Sequence, residues 1–507
     1  LKLHDDTLVI VGPPGTGKTT RLMGEVERAL AEGIPPERIA YLAFTRKASR
    51  ESVERAVKRF EIDPKALENF RTLHSFAYHE LGLSASDVVN NAALKEFGDL
   101  VGLSFSATTN PDEERIEYGN KSHDLLLELD QASRIRRMPL RLIRNLMDAD
   151  VLVAELERCA TAYAEFKQSR SLLDFTDMLE QFLLSPETPS YDLLLIDEGQ
   201  DLSPLQWEVV RKLAGNSRRL VVAGDDDQAI FGWAGADVDS FIRLEGRVEV
   251  LGQSYRVPRL VQRIANGIIE AVQNRRPKAW KSRLGAEGEV LWASSDAEID
   301  LNQGEWLILA RNHYVTNELT ASLFASGIPY ERNGKSPIAG SLSQALADWK
   351  RICGGGSISY TAAAGIYAYM KAGGSVARGG KAGLAAMADS DEKVTLADLQ
   401  TAHHLQIDAV GWPQAFDRLD PADRSFLQRA EETSAPISAP RIRISTIHGA
   451  KGGEAENVML FTDMARRTYD SSLSEPDDER RVFYVGATRA KESLVVVRPR
   501  TPLHFKI

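Results

Sequence analysis

Short continuous apolar runs, each closed by a polar or glycine-bearing turn and followed by a stretch with helical spacing, recur along both halves of the chain. "TLVIV" (Thr7–Val11) runs into Gly12, and "RLMGEVERALAEG" after it carries its apolar residues at helical intervals until Gly33. "RIAYLAF", "YDLLLID" and "RRLVVAGD" repeat the theme in the first half, and "RVEVLGQSY", "EWLILAR", "IRISTIHG", "NVMLFTD" and "SLVVVRP" in the second. Runs without alternation suit strands buried on both faces, so the pattern predicts parallel sheets covered by helices. Two regions break it. Residues 81–170 show helical spacing and no comparable strand. Residues 336–439 hold "GGGSISYTAAAG" and "AGGSVARGGKAG", expected to be flexible loops joining helices. The expected architecture is α/β, with two parallel-sheet domains that each carry a mainly helical inserted subdomain. The first domain takes 1–80 and 171–247, interrupted by 81–170. The second takes 248–335 and 440–507, interrupted by the shorter accessory subdomain 336–439.

A length of 507 residues agrees with more than one core. The absence of any run of about 18 apolar residues argues against a membrane-spanning helix. The two acids ahead of the apolar run in "LKLHDDTLVI" argue against a signal peptide. Cys159 and Cys353 lie far apart with no Cys or His cluster near them, which points to a reducing, cytoplasmic setting and no structural zinc. The net charge of −10 argues against a protein coated in basic surface but not against a local basic groove. Two basic stretches, "RIRRMPLRLIR" (Arg134–Arg144) and "RRPKAWKSR" (Arg275–Arg283), fit solvated faces and anion contacts equally well.

Two motifs change the picture. "GPPGTGKT" (Gly12–Thr19) fits G-x-x-x-x-G-K-[ST] between a strand and a helix. Its glycines let backbone N–H groups wrap phosphates, Lys18 reaches the β- and γ-phosphates, and the Thr19 hydroxyl holds Mg²⁺. "LLLIDE" (Leu193–Glu198) ends a strand in Asp197, suited to the Mg²⁺ shell, and Glu198, suited to deprotonating an attacking water. Together they imply NTP hydrolysis. The second half has no phosphate loop but places Arg256 in "QSYRVP" and Arg489 in "YVGATRAKE", where a cation would stabilise charge on a γ-phosphate.

Ten segments in order, "GPPGTGKTT", "YLAFTRKASRE", "RTLHSFAY", "LLDFTDML", "LLLIDEGQD", "AGDDDQAIFGWAGAD", "LGQSYRVP", "LILARNHY", "ISTIHGAKGGEAENV" and "RRVFYVGATRAKESLVV", resemble the UvrD/Rep-type superfamily 1 DNA helicases over nearly the whole chain. The resemblance implies two RecA-like domains, ATP with Mg²⁺ between them, and single-stranded DNA and duplex–single-strand junctions as partners. It implies that Gly12, Pro13, Pro14, Gly15, Thr16, Gly17, Lys18, Thr19 and Thr20 surround the nucleotide phosphates. Tyr255 would pack on adenine, Glu454 touch the ribose, and Gln228, Arg256 and Arg489 contact the γ-phosphate. Phe44, His74 and Trp233 would lie along the DNA, with Thr446 and His448 beside it. The third motif resembles the 3′→5′ branch, so the implied activity is ATP-dependent 3′→5′ translocation and duplex unwinding. The same motifs also suit a DNA-dependent ATPase that displaces proteins without unwinding. A nucleotide-controlled binding factor is the reading from another class, which Phe44 and Trp233 argue against.

This sequence departs from the family at several places. Only eleven residues precede Gly12 and none is the Gln that usually reads adenine. Arg46 stands for a usual Asn, Phe231 for Tyr, Ala234 for an Arg after the Trp, and Gly449 and Gly453 for Ser and Leu. The run Asp225–Asp227 brings three carboxylates together, and Mg²⁺, Lys18 and arginines are expected to offset their repulsion.

Overall fold

The computed structural model describes residues 1–111, 113–119, 121–387, 392–432 and 440–507. They form two compact units, Leu1–Gly288 with Ser471–Thr488 and Ile507, and Glu289–Asp470 with Arg489–Lys506.

The first unit is built on a six-stranded parallel sheet in the order Phe70–Thr72, Ile39–Ala43, Leu193–Ile196, Leu220–Gly224, Thr7–Val11, Arg247–Val250. Period-two geometry sends alternate residues of each run to opposite faces. Val9, Leu42, Leu194 and Val222 pack with Leu205, Trp207 and Phe182. Leu8, Ile10, Tyr41, Leu195 and Val221 pack with Leu22, Met23 and Val26 of the helix Lys18–Ala31. Both faces are covered, which is why these runs read as continuous apolar segments.

The second unit holds another six-stranded parallel sheet, in the order Tyr330–Arg332, Ile442–Thr446, Trp306–Ala310, Ala455–Phe461, Ala490–Val497, Glu289–Ala293. Trp306, Ile308, Ile444, Met459 and Val495 bury one face against Val315, Leu319 and Leu323 of the helix His313–Ser326. The chain thus has two RecA-like α/β cores.

Each insertion has a hydrophobic core of its own. Leu94, Phe97, Leu126, Leu129, Ile143, Leu156 and Tyr163 cluster in the first, which also carries a short hairpin, Thr108–Asn110 with Arg115–Glu117. Trp349, Ile352, Tyr360, Ile366, Tyr367, Phe416 and Phe426 cluster in the second. The glycine-rich stretches there are not simply loops. The helix Tyr360–Ala368 is capped by the Ser359 hydroxyl, which accepts from the Ala362 N–H at 3.2 Å, and the helix Gly380–Ala385 follows. Buried Ala363, Ile366 and Tyr367 supply the packing that composition alone conceals.

One expected strand lies elsewhere. "RVEV" is the edge of the first sheet, paired with Thr7–Val11, and residues 248–288 pack in the first unit although the sequence pattern groups them with the second half. Among the described residues no helix is long and apolar enough to cross a membrane.

Candidate nucleotide and nucleic-acid site

The strand Thr7–Val11 ends at Gly12, and the loop to Gly17 leads into the helix Lys18–Ala31, whose first N–H groups have no partner within the helix. Lys18 Nζ donates to the Gly12 carbonyl at 3.0 Å, and a Cβ on Gly12 would lie 2.2 Å from Lys18 Cγ. The folded-back lysine therefore needs glycine at the first position. Gly15 has φ +71°, and a Cβ there would come 2.4 Å from Arg256 Cβ. This close approach brings the "QSYRVP" segment onto the loop. Tyr255 N–H donates to Gly15 O at 2.8 Å and the Ser254 hydroxyl to Pro14 O at 2.8 Å. The Tyr255 side chain stays 71% exposed, available as a flat apolar surface. Sequence reading missed Ser254, although a small hydroxyl residue before Tyr–Arg was visible.

Leu193–Ile196 is fully buried and delivers Asp197 beside this loop, 4% exposed. Burial, then the neighbouring Glu198 charge, pushes the Asp197 carboxyl up to about 6, while Lys18 and the Tyr41 hydroxyl pull the other way. Tyr41 donates to Asp197 Oδ2 at 2.6 Å, and burial holds the phenol neutral. A glycine cradle, a facing lysine and a buried carboxylate at a strand end fit a magnesium–nucleotide phosphate chain. Thr19 and Asp197 are the residues that would hold the metal.

Glu198 has φ +54°, a left-handed backbone rare for a non-glycine residue and typical of functional sites. Its carboxylate accepts from Gln200 Nε2 at 2.6 Å. The Gln200 carbonyl accepts from the Asp225 N–H at 2.9 Å, and Asp225 accepts from Gln228 Nε2 at 2.6 Å. One polar chain thus runs from Glu198 through fully buried Gln200 to Asp225 and Gln228. Gly224 makes room for it, since a Cβ there would meet Gln200 Oε1 at 2.5 Å. Gln200 was not singled out in the sequence, because its role depends on two strand ends lying side by side.

The charges of Asp225, Asp226 and Asp227 are balanced in part by an arginine, as expected, and in part by a lysine that the sequence reading did not name. Lys278 Nζ, itself 0% exposed, lies 3.1, 2.5 and 3.1 Å from the three carboxylates, and Arg275 pairs with Asp227. Desolvation opposes the charge on Lys278, and the three carboxylates outweigh it and raise its pKa. The basic stretch Arg275–Arg283 is therefore at least partly an internal counter-ion rather than a solvated face.

Two of the three residues expected along DNA in the first unit, Phe44 and Trp233, are joined into an aromatic row by Phe231. Phe44 stacks on Phe231 with centroids 5.6 Å apart, and Phe231 meets Trp233 edge-on at 6.5 Å. Trp233 is 60% exposed, so it is not a core residue. His74 is half-buried, edge-on to Phe175, and burial lowers its pKa. Arg46 donates to Glu114 Oε1 at 3.0 Å, and His74 Nδ1 lies 3.8 Å from the same carboxylate. The arginine in the usual Asn position thus meets an acid from the first insertion.

The remaining candidates lie in the second unit. Arg489 is buried and donates to Gly453 O at 3.2 Å, and Glu454 pairs with Lys491 at 2.6 Å. Thr446 Oγ1 accepts from Gly449 N–H at 3.1 Å in the turn that carries His448. A Cβ on Gly449 would lie 2.7 Å from Ser445 Oγ, so a side chain at this position, where Ser is usual, would require that hydroxyl to turn away.

Two RecA-like cores, with a phosphate loop and an acidic strand end in the first, define the fold class and its candidate nucleotide site. The UvrD/REP helicase N-terminal domain matches residues 1–249, and the UvrD-like helicase C-terminal domain matches residues 422–500. The chain is 25% identical over 372 residues to the ATP-dependent DNA helicase PcrA of Leuconostoc citreum, covering 64% of this chain and 48% of that protein. It is 27% identical over 371 residues to a probable DNA helicase II homolog of Rickettsia felis, covering 64% and 54%. A probable DNA helicase of Mycoplasma pneumoniae is 26% identical over 358 residues, covering 64% and 63%. The chain spans about half the length of the first two relatives and somewhat more of the third. The chain belongs to the UvrD/Rep-type family of superfamily 1 helicases.

Proposed function

We propose that this protein is an ATP-driven motor that moves 3′→5′ on single-stranded DNA and separates duplex at single-strand junctions. The observation that carries the reading is the hydrogen-bonded chain Glu198–Gln200–Asp225–Gln228, whose last member lies five residues before exposed Trp233. A change in hydrogen bonding at Glu198 has a short, fully polar route to a loop that presents an aromatic face. The relatives' names as DNA helicases support the same reading.

In this reading Gly12–Thr20 bind the phosphates, Lys18 neutralises them, and Glu198 takes the proton from the attacking water while Gln228 senses the γ-phosphate. Mg²⁺ on Thr19 and Asp197 would neutralise phosphate charge. Tyr255 stacks on the base and Arg256 serves the γ-phosphate. Glu454 and Arg489 are assigned nucleotide roles on their motifs. Phe44 and Trp233 stack on bases, with His74, Thr446 and His448 along the strand, and stacking tolerates any sequence, as a translocating motor requires. The two RecA-like domains, with insertions at 81–170 and 336–439, are the corresponding assignment of parts, and an intracellular setting goes with it.

The test is ATP-dependent strand separation on duplexes carrying either a 3′ or a 5′ single-stranded tail. The reading expects unwinding of the 3′-tailed substrate. Unwinding only from a 5′ tail would reverse the polarity. ATP turnover stimulated by single strands without separation of either duplex would favour protein displacement alone.

A further inference from the structure

We infer that Arg136, on the first insertion, is the positioning residue for Trp233. The inference rests on the reading of Trp233 as a DNA contact. The loop "AIFGWAGA" (Ala229–Ala236) contains no charged side chain. Its geometry is a 3-10 turn, Gly232–Ala234, in which Phe231 O accepts from the Ala234 and Ala236 N–H groups and Gly232 O from that of Gly235. The Trp233 indole projects from this turn largely into solvent, edge-on to Phe231, so the backbone beneath it helps to set its direction.

Arg136 reaches that backbone from the last turn of the helix Asp124–Arg136. Its Nη2 donates to Gly232 O at 2.6 Å and to Trp233 O at 3.3 Å. Helix and loop are in direct contact. Gly235 has φ +99°, and a Cβ there would lie 2.8 Å from Ile135 Cγ2. The charge sits at a helix C-terminus, where the macrodipole favours a cation; burial lowers the Arg136 pKa, and the Glu475 and Asp478 carboxylates offset only part of that.

The helix is itself clamped to the ATPase core on both sides of Arg136. Arg134 pairs with Asp174 and Glu180 at 2.9 and 2.8 Å, and Arg137 with Glu180 and Glu208, each at 2.9 Å. The basic run Arg134–Arg137 is thus an anchor whose Arg136 holds the turn under Trp233. Losing that hold leaves the indole in place chemically but free to sample directions, which weakens stacking without touching the phosphate site.

The experiment is a double-mutant cycle on Arg136→Ala and Trp233→Ala, read as basal ATPase, the single-stranded DNA concentration giving half-maximal stimulation, and the thermal midpoint. Arg136→Ala should raise the half-activating concentration roughly tenfold, within the range of one base-stacking contact. Basal turnover should stay within about twofold, because Arg136 touches no residue of the phosphate site. Arg136→Lys, which keeps the charge but loses the guanidinium fork, should fall between. In the Trp233→Ala background, Arg136→Ala should add almost nothing, a non-additivity that general destabilisation does not produce. If Arg136→Ala does not fold, the Arg136→Lys cycle carries the same comparison. Independent, multiplying effects would overturn the positioning role while leaving Trp233 as a DNA contact. A normal half-activating concentration in Trp233→Ala itself would remove the DNA reading of that residue, and the inference with it.

Discussion

Gln200 accepts the Asp225 N–H at 2.9 Å with its carbonyl and donates to the Glu198 carboxylate at 2.6 Å with its amide. One buried side chain thereby ties the residue proposed to activate water to the loop that carries Gln228. Replacing it by Leu keeps the volume and removes both bonds. Gln200→Leu should lower the rate constant for ATP hydrolysis by roughly tenfold to a hundredfold, the cost of a misplaced catalytic group, with nucleotide affinity within about threefold of wild type. Single-turnover hydrolysis beside equilibrium nucleotide binding separates the two. Unchanged hydrolysis would make the bridge purely structural.

Lys18→Ala should lose tight nucleotide binding and turnover together, because the cation acts on the phosphates in ground and transition states. Glu198→Gln should bind ATP normally and turn it over on the order of a hundredfold more slowly, since an amide cannot accept the proton. Binding and steady-state rates on the two variants check this, and near-normal turnover in Glu198→Gln would remove it from its role.

Lys278 is the common partner of three buried carboxylates. Lys278→Met should destabilise the first unit by about 3–5 kcal/mol, because it leaves buried negative charge without its principal cation. Adding Asp226→Asn should restore part of that loss. Urea unfolding of both variants measures the difference. Equal stability of Lys278→Met and wild type would mean that Arg275 alone suffices.

The contrast between Lys278 and the phosphate loop shows what the sequence could and could not convey. Lys18, Thr19, Asp197 and Glu198 were legible because their function is carried by short contiguous motifs, and the buried strands because both faces of each sheet are covered. Lys278, Gln200, Ser254 and Tyr41 were not, because each acts through a partner 25 to 240 residues away. The short edge strands Phe70–Thr72, Glu289–Ala293 and Tyr330–Arg332 escaped for a related reason. Runs of only three to five residues at a sheet edge leave too little apolar signal to distinguish a strand from a loop. In "RIRRMPLRLIR" the arginines were visible, and the distant carboxylates Asp174, Glu180 and Glu208 that pair with Arg134 and Arg137 were not.

Burial raises the Asp130 carboxyl to about 6 from 3.8, against the pull of Arg134. Between those values the folded state holds a proton that the unfolded chain has released, so stability falls as pH rises from about 4 to about 6 and then levels. Asp130→Asn should abolish that component and stabilise the protein at pH 7.5 by about 1–3 kcal/mol, the scale of a two-unit shift. Urea midpoints at pH 5 and pH 7.5 test it. An unchanged pH slope in the variant would assign the dependence to other groups.

The most direct test of the central claim is the steady-state ATPase rate with and without single-stranded DNA. The hydrogen-bonded route from Glu198 to the Trp233 loop predicts that saturating single strands raise turnover at least about tenfold, equivalent to ~1.4 kcal/mol of barrier. It also predicts that Trp233→Ala keeps the basal rate and loses most of the increase. A turnover rate that is the same with and without single strands in the folded wild-type protein would contradict the account.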